Sequence, residues 1–409
     1  MKVLFLTHRL PYAPNRGDRI RAYYLLQEMS RWAEVSLFSL VHDDDEAVKA
    51  AKLTSARPVV TARVPKFANG IRGALRLASR RPLTHSLLDA PGARDKLAAM
   101  VSADRPDVVL AYCSGMARFA LQPPLSGLPL VLDMVDVDSE KWAGLARRAP
   151  WPRSSFYSRE VRTLSAFERV ASERARAVLV VSEHEREVLS RLAPDAAIRV
   201  VSNGVDASAF HPPETPSDDP VVVFTGMMDY PPNVQAVTWF VGEVWPRILA
   251  ARPDARFTIV GANPTRAVKA LADRHASVDV TGRVDAVQTW LWRGAVAVAP
   301  LLMARGVQNK VLESLAAGLP VVTTSAVRAG LPPGIENGCS IADEPEAFAA
   351  AVVALLEASP DERRARAAAA LVERLTWEAQ LSAVRAILEN AMAFSTTLSD
   401  RSIAERFGK

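Results

Sequence analysis

Cysteine is scarce in this chain. Only Cys113 and Cys339 occur in 409 residues, and they lie far apart. Two thiols on different candidate domains make no disulfide framework, so they read as free thiols of a reducing cytoplasm. Long apolar runs are missing as well. Hydrophobic residues make up 49% of the chain, yet no run approaches the roughly 20 residues of a transmembrane helix. The apolar run after Lys2 meets His8-Arg9 at once, so it reads as a first strand rather than a signal peptide. Glycine is sparse where a dinucleotide site would need it. The segment after that strand has Gly17 alone, which excludes the GxGxxG fingerprint. No solenoid period is present. The DxD at Asp43–Asp45 reads as the acidic start of a helix rather than a metal site.

What is present is an alternation of short apolar runs and helical patterns, repeated in two halves. Strands are expected at Lys2–Thr7, Glu34–Val41, Asp107–Ala111, Leu130–Leu132 and Val178–Ser182, with helical segments between them, among them a highly charged helical stretch over Trp142–Ala177. A segment with four prolines, residues 211–220, reads as a linker. A second series follows, with strands at Val221–Thr225, Arg256–Gly261 and Val278–Thr281 and a helix over Asn233–Ala251. This is α/β architecture: a Rossmann-like domain over 1–210, a linker over 211–220, and a second Rossmann-like domain beyond it.

Net charge is only +5, but it is unevenly placed. From Arg57 to Leu88 there are seven basic residues and no acidic one. Ile71, Leu75 and Leu77 are interleaved with Arg72, Arg76, Arg80 and Arg81. Basic and amphipathic together point to an anionic membrane surface. No nucleic-acid motif accompanies the charge, so a nucleic-acid partner is not expected.

The stretch richest in chemistry is Ala295–Thr324, AVAVAPLLMARGVQNKVLESLAAGLPVVTT. It reads as strand, glycine loop, helix, strand. Pro300 ends the first strand, Gln308-Asn309 opens the helix, and Gly318 with Pro320 closes it. A glycine loop feeding a helix presents free N–H groups and makes an anion site. Lys310 adds a charge, and Glu313 stands about one turn further on, as suits phosphates joined to a hydroxylated sugar. In the first half, Gly17 sits at a similar helix start among Arg16, Arg19 and Arg21. Asp133, Asp136 and Asp138 leave the end of a strand, where open α/β sheets bind ligands.

Several strings carry a resemblance. The two-domain layout, SNGVD followed by F-x-P, and VLESLAAGLPVV resemble the GT-B glycosyltransferases of family 4. More narrowly, HRLPYAPNRGDRIRAYYLL, DMVDVDSEKW, MMDYPPNVQAVTWF and RGVQNKVLESLAAG are similar to sugar transferases encoded with exosortase (PEP-CTERM) exopolysaccharide systems. The resemblance implies two domains facing across a cleft, with the nucleotide-sugar bound by the C-terminal domain, 221–376. It also implies a helix, 377–394, crossing back to the N-domain ahead of a tail, 395–409. It places Glu313 on the ribose hydroxyls and Gly306, Val307, Gln308 and Asn309 around the sugar and diphosphate. Gly17 and Arg21 would approach the same phosphates, beside Gly226 and Arg283.

The activity implied is retaining, metal-independent hexosyl transfer from a UDP- or GDP-sugar to a lipid-linked or growing saccharide. It needs no cofactor and takes place on the inner face of the plasma membrane. The chain departs from the family pattern in three places. Arg305 stands where a first glutamate is usual. The Arg/Lys pair after Gly226 is replaced by a region holding Asp229, Tyr230 and Asn233. Asp136 or Asp138 stands where many relatives have a histidine. Lys310 and Arg305 are therefore expected to supply the charge for the leaving diphosphate. A GT-B epimerase or phosphorylase, or a non-catalytic nucleotide-sugar-binding partner, are the alternative readings of the same fold.

Overall fold

The computed structural model describes residues 1–13, 17–75, 79 and 81–393. By its internal contacts the chain forms two units. One is Met1–Val201 together with the segment from Leu381, and the other is Ser202–Gln380.

The first unit is built on a seven-stranded sheet, with β1 Lys2–Thr7, β2 Glu34–Val41, β3 Val59–Arg63, β4 Val108–Tyr112, β5 Leu130–Val135, β6 Ala177–Val180 and β7 Ile198–Val200. Their order is β3-β2-β1-β4-β5-β6-β7, and every pairing is parallel. Parallel strands carry helices on both faces, which is why β1, β4 and β6 are unbroken apolar runs. Val3–Leu6 and Val108–Ala111 are at most 1% exposed.

The second unit has a six-stranded parallel sheet. It comprises β8 Val221–Thr225, β9 Arg256–Val260, β10 Val278–Gly282, β11 Val296–Ala299, β12 Val321–Thr323 and β13 Cys339–Ile341. The order is β10-β9-β8-β11-β12-β13. Against one face Phe240, Trp245, Phe257 and Phe348 form a ring cluster with centroids 4.6–6.0 Å apart.

Four local departures from the sequence reading have physical causes. The helical stretch expected over Trp142–Ala177 is two helices, Asp138–Arg148 and Arg153–Arg174. Pro150 and Pro152 lack the N–H a continuous helix would need. The helix from Pro231 passes through a π turn at Phe240–Val244 just before Pro246, then continues to Ala251. A widened turn there removes the clash between the proline ring and the preceding carbonyl. Residues 202–210 pack with the second unit, where the Val205 N–H donates to the Leu375 carbonyl at 2.8 Å. The proline-rich segment is not a free tether either. Trp292 Nε1 donates to the His211 carbonyl at 2.7 Å, and Arg363 Nη2 donates to that of Ser217 at 2.7 Å. At the far end, the helix over 384–393 belongs to the first unit, and Arg385 lies 5.9 Å from the Trp32 ring centroid.

Candidate functional site

In an open parallel sheet, ligands bind where neighbouring strands send their connections to opposite faces. In the second sheet that point lies between β8 and β11. Gly226 follows β8, and Pro300 with the loop to Asn309 follows β11. The topology therefore puts Gly226 and the Arg305–Lys310 loop at one place.

The loop after β11 is fixed from β12. Thr323 Oγ1 donates to the Ala299 carbonyl at 3.0 Å, and Thr324 Oγ1 donates to that of Leu301 at 2.6 Å. Gly306 adopts a left-handed φ of 58°, which glycine takes without a Cβ clash. Gln308 caps the helix Asn309–Ala316, but its side chain turns back and donates to the Arg305 carbonyl at 2.9 Å. No side chain caps this helix start, so its N–H groups face the loop. Asn309 Oδ1 accepts from Asn203 Nδ2 at 2.9 Å. The SNGVD string thus props the helix start from within the same unit.

Lys310 is the centre of the arrangement. Its Nζ donates to Asn233 Oδ1 at 2.8 Å and lies 4.1 Å from the Phe224 ring centroid. Asn233 is held by its other end, with Nδ2 donating to the Met227 carbonyl at 2.9 Å. A Cβ built on Gly226 would come within 3.0 Å of Lys310 Nζ and 2.7 Å of Asn233 Nδ2. Gly226 can approach because Gly261 behind it has no side chain. A Cβ at 261 would fall inside the Gly226 carbonyl.

Burial lowers the Lys310 ammonium to about 7, partly offset by Glu313. Burial raises the Glu313 carboxyl to about 7, partly offset by Lys310. Among the described residues the Glu313 carboxylate takes no hydrogen bond. A titratable cation and a titratable acceptor thus stand one helical turn apart at a helix start, suited to a phosphate and a vicinal diol.

Of the residues expected at the donor, the structure brings together Gly226, Gly306, Val307, Gln308, Asn309, Lys310 and Glu313. Arg305 is half-buried in the same loop. Arg283 is exposed after β10, two strands from β8. Asn233 and Phe224 hold Lys310 in place. Pro231-Pro232 ahead of Asn233 marked a helix start, but nothing nearby in sequence showed that Asn233 would meet residue 310.

The first unit's expected residues sit differently. Arg21, expected beside a phosphate, lies in the core. Its Nε donates to Asp133 Oδ2 at 2.8 Å, and both side chains are at most 2% exposed. The buried pair ties the helix Gly17–Met29 to β5, and the apolar strands around it leave no room for a solvated guanidinium. Gly17 opens that helix. Asp138 starts the next helix and accepts from Ser114 Oγ at 3.0 Å. Burial raises its carboxyl. Glu168 beside it is also raised, by burial and by the Asp138 charge. Asp136 is half-buried in the turn between. The chain leaves β4 and β5 through two non-glycine residues with positive φ, Cys113 at 69° and Val135 at 68°. Such conformations persist only where the surroundings enforce them. Asp43 caps the helix Asp44–Ala50, accepting from the Glu46 N–H at 2.8 Å, so the DxD is a helix start. Arg76, Arg80 and the tail 395–409 lie outside the described residues, as does the Arg72 side chain. Arg81 pairs with Asp89 at 2.6 Å.

Comparisons agree with this layout. Residues 16–204 match the glycosyl transferase 4-like domain, and residues 219–358 match glycosyl transferases group 1. No curated protein matches the chain in a sequence comparison. Solved structures share the fold at low identity. Sucrose-phosphate synthase from Thermosynechococcus elongatus superposes with a TM-score of 0.70 at 15% identity, over 98% of this chain and 100% of that one. HepE from Anabaena, in complex with UDP, gives 0.64 at 15%, over 95% and 100%. A variant of S. aureus TarM, in complex with fondaparinux, α-GlcNAc-glycerol and UDP, gives 0.66 at 10%, over 95% and 100%. The fold and the two domain matches together define the class, a GT-B glycosyltransferase. Residues 219–358, which hold Lys310 and Glu313, are its group 1 domain.

Proposed function

We propose that the chain is a retaining hexosyltransferase that uses a UDP- or GDP-sugar and needs no metal. Its acceptor is a lipid-linked or growing exopolysaccharide of the exosortase-associated kind, at the cytoplasmic face of the membrane. The observation that carries the donor reading is the Lys310 ammonium held beside Gly226 at a helix start, with Glu313 one turn on. Glu313 accepts the ribose hydroxyls. Lys310, with Arg305 and the helix N–H groups, stabilises the charge that builds on the diphosphate as the sugar departs, the role a metal plays elsewhere. Asp136 and Asp138 serve the acceptor or the sugar hydroxyls.

A thermal-shift panel of nucleotide sugars tests the donor reading. A cognate donor at about 100 times its dissociation constant adds about 2.7 kcal/mol to the folded state and should raise the melting temperature by several degrees. A panel of UDP- and GDP-sugars with no shift would overturn it. Nucleotide release in the presence of membranes then separates transfer from mere binding.

The titration of Lys310 gives a second expectation. Free, its ammonium is half-lost near 7. A bound diphosphate favours the charged form and raises that value, so binding takes up a proton. The Lys310 share of donor affinity should therefore fall as pH rises from about 7 to about 8.5, by up to about tenfold per unit, while Glu313, whose carboxyl also stands at about 7, reaches its accepting form over the same range and offsets part of the loss. Calorimetry in buffers of different ionisation enthalpy should show the net proton exchange, and Lys310→Ala should shift it toward release by removing the Lys310 uptake.

The membrane part rests on the basic segment and on the helix Lys66–Leu75, which exposes Phe67 by 85% and Ile71 by 53%. Binding to phosphatidylglycerol vesicles should be strong at low salt and lost at high salt. No binding at low salt would remove this part while leaving the donor reading intact.

A further inference from the structure

Trp151 lies in the connection between the helices Asp138–Arg148 and Arg153–Arg174 and is 80% exposed. Among the described residues it is the only exposed tryptophan of the eight. Pro150 and Pro152 flank it, are themselves exposed, and stiffen the connection by fixing φ. Beneath the tip the two helices pack together, with the rings of Trp142 and Tyr157 5.6 Å apart. The indole is thus held out on a firm base.

The charge around the tip is of one sign. From Lys141 to Arg159 there are five basic residues and no acidic one. Lys141, Arg147 and Arg153 are exposed. Arg153 opens its helix, whose first turn holds no acid. A cation there opposes the helix dipole, so it does nothing for its own helix. The next acid, Glu160, is buried and accepts from the Leu83 and Thr84 N–H groups, both at 2.8 Å. Arg159 Nη2 donates to the Ser79 and Arg81 carbonyls at 2.7 and 3.0 Å. A Cβ on Gly73 would come within 2.7 Å of Leu83, so the helix Lys66–Leu75 packs on the element that Glu160 holds. The Trp151 tip and the helix that exposes Phe67 and Ile71 are therefore carried on one packed group of helices.

We propose that the Trp151 tip is a second point of attachment to an anionic phospholipid bilayer. It rests on the membrane part of the proposed function and adds an anchor outside the Lys66–Leu75 helix. The indole would enter the boundary between headgroups and acyl chains, where an apolar body with one polar N–H is well placed. Arg147 and Arg153 would meet lipid phosphates. One amphipathic helix alone lets the unit roll about the helix axis. A second point stops the roll and holds the first unit in one orientation on the membrane.

Cosedimentation of the full chain with phosphatidylglycerol vesicles at low salt tests it, with phosphatidylcholine vesicles as the neutral comparison. Trp151→Ser should weaken binding to phosphatidylglycerol about tenfold, and Trp151→Phe should restore most of it. Arg153→Glu should also weaken it about tenfold or more, yet leave the melting temperature unchanged or higher, since an acid suits that helix start. Brominated phosphatidylglycerol should quench the tryptophan emission of the unaltered chain and quench that of Trp151→Phe less. Thermal shift with the cognate nucleotide-sugar should be the same in all of them. Loss of binding in Phe67→Ser but in neither Trp151→Ser nor Arg153→Glu would overturn the second anchor and keep the membrane reading. No binding of the unaltered chain at low salt would overturn both. A dimer of the chain that Trp151→Ser dissolves, with vesicle binding unchanged, would assign the tip to a second copy and overturn the proposal.

Discussion

Replacing Lys310 with alanine should lower turnover by roughly a hundred- to a thousandfold, the usual cost of removing one preorganised group from a developing charge. Three structural facts set the size of the effect. The ammonium is fixed by Asn233 at 2.8 Å and by the Phe224 ring at 4.1 Å, so it meets the leaving group without reorganisation. The site is desolvated enough to lower its pKa to about 7, and in such a medium a charge acts strongly. The Arg/Lys pair usual after Gly226 is absent, so no neighbour on that loop compensates. Donor binding should suffer less than turnover, because the charge on the diphosphate grows as the bond breaks. Steady-state kinetics on the purified variant would separate the two. Unchanged turnover, with donor binding reduced, would limit Lys310 to holding the ground state.

Gly261→Val should have the largest effect on the second unit. A Cβ at 261 would overlap the Gly226 carbonyl oxygen. That carbonyl belongs to the loop that approaches Lys310, and the Gly226 N–H donates to the Val260 carbonyl at 3.0 Å. The exits of β8 and β9 would have to move apart, which costs about 3 kcal/mol by analogy with overpacked cores. The measured outcome should be a lower melting temperature together with loss of nucleotide-sugar binding. Gly242→Ala is the matched control. A Cβ there meets nothing within 4 Å, so it should be neutral or slightly stabilising. Equal behaviour of the two variants would show that close packing of Gly226 on Gly261 is unimportant.

Much of this was legible along the chain, and the part that was not shares one cause. The α/β alternation, the β11–loop–helix–β12 stretch and Glu313 one turn into its helix are local patterns of apolar period, proline and glycine. Asp43–Asp45 was also readable as a helix start, since acids favour that position and Asp43 does cap it. What escaped depends on partners distant in sequence. The hold of Asn233 on Lys310 spans 77 residues, and that of Asn203 on Asn309 spans 106. Arg21 looked like a phosphate ligand because glycine and arginines crowd a helix start. Its pairing with Asp133, 112 residues away, is invisible from that neighbourhood. The linker looked free because proline and small residues usually are, but Arg363 and Trp292 reach it from far along the chain.

The two units also differ in how the chain supplies them. Ser202–Gln380 is continuous, whereas the first unit draws its last piece from beyond Leu381. During synthesis the second unit has all its parts once residue 380 has emerged. The first, though begun earlier, waits for the helix over 384–393 to complete it. A chain stopped short of that helix would carry an intact group 1 domain beside a first domain lacking an element that Trp32 packs against. Truncation at the C-terminus should therefore be felt first at the N-terminus.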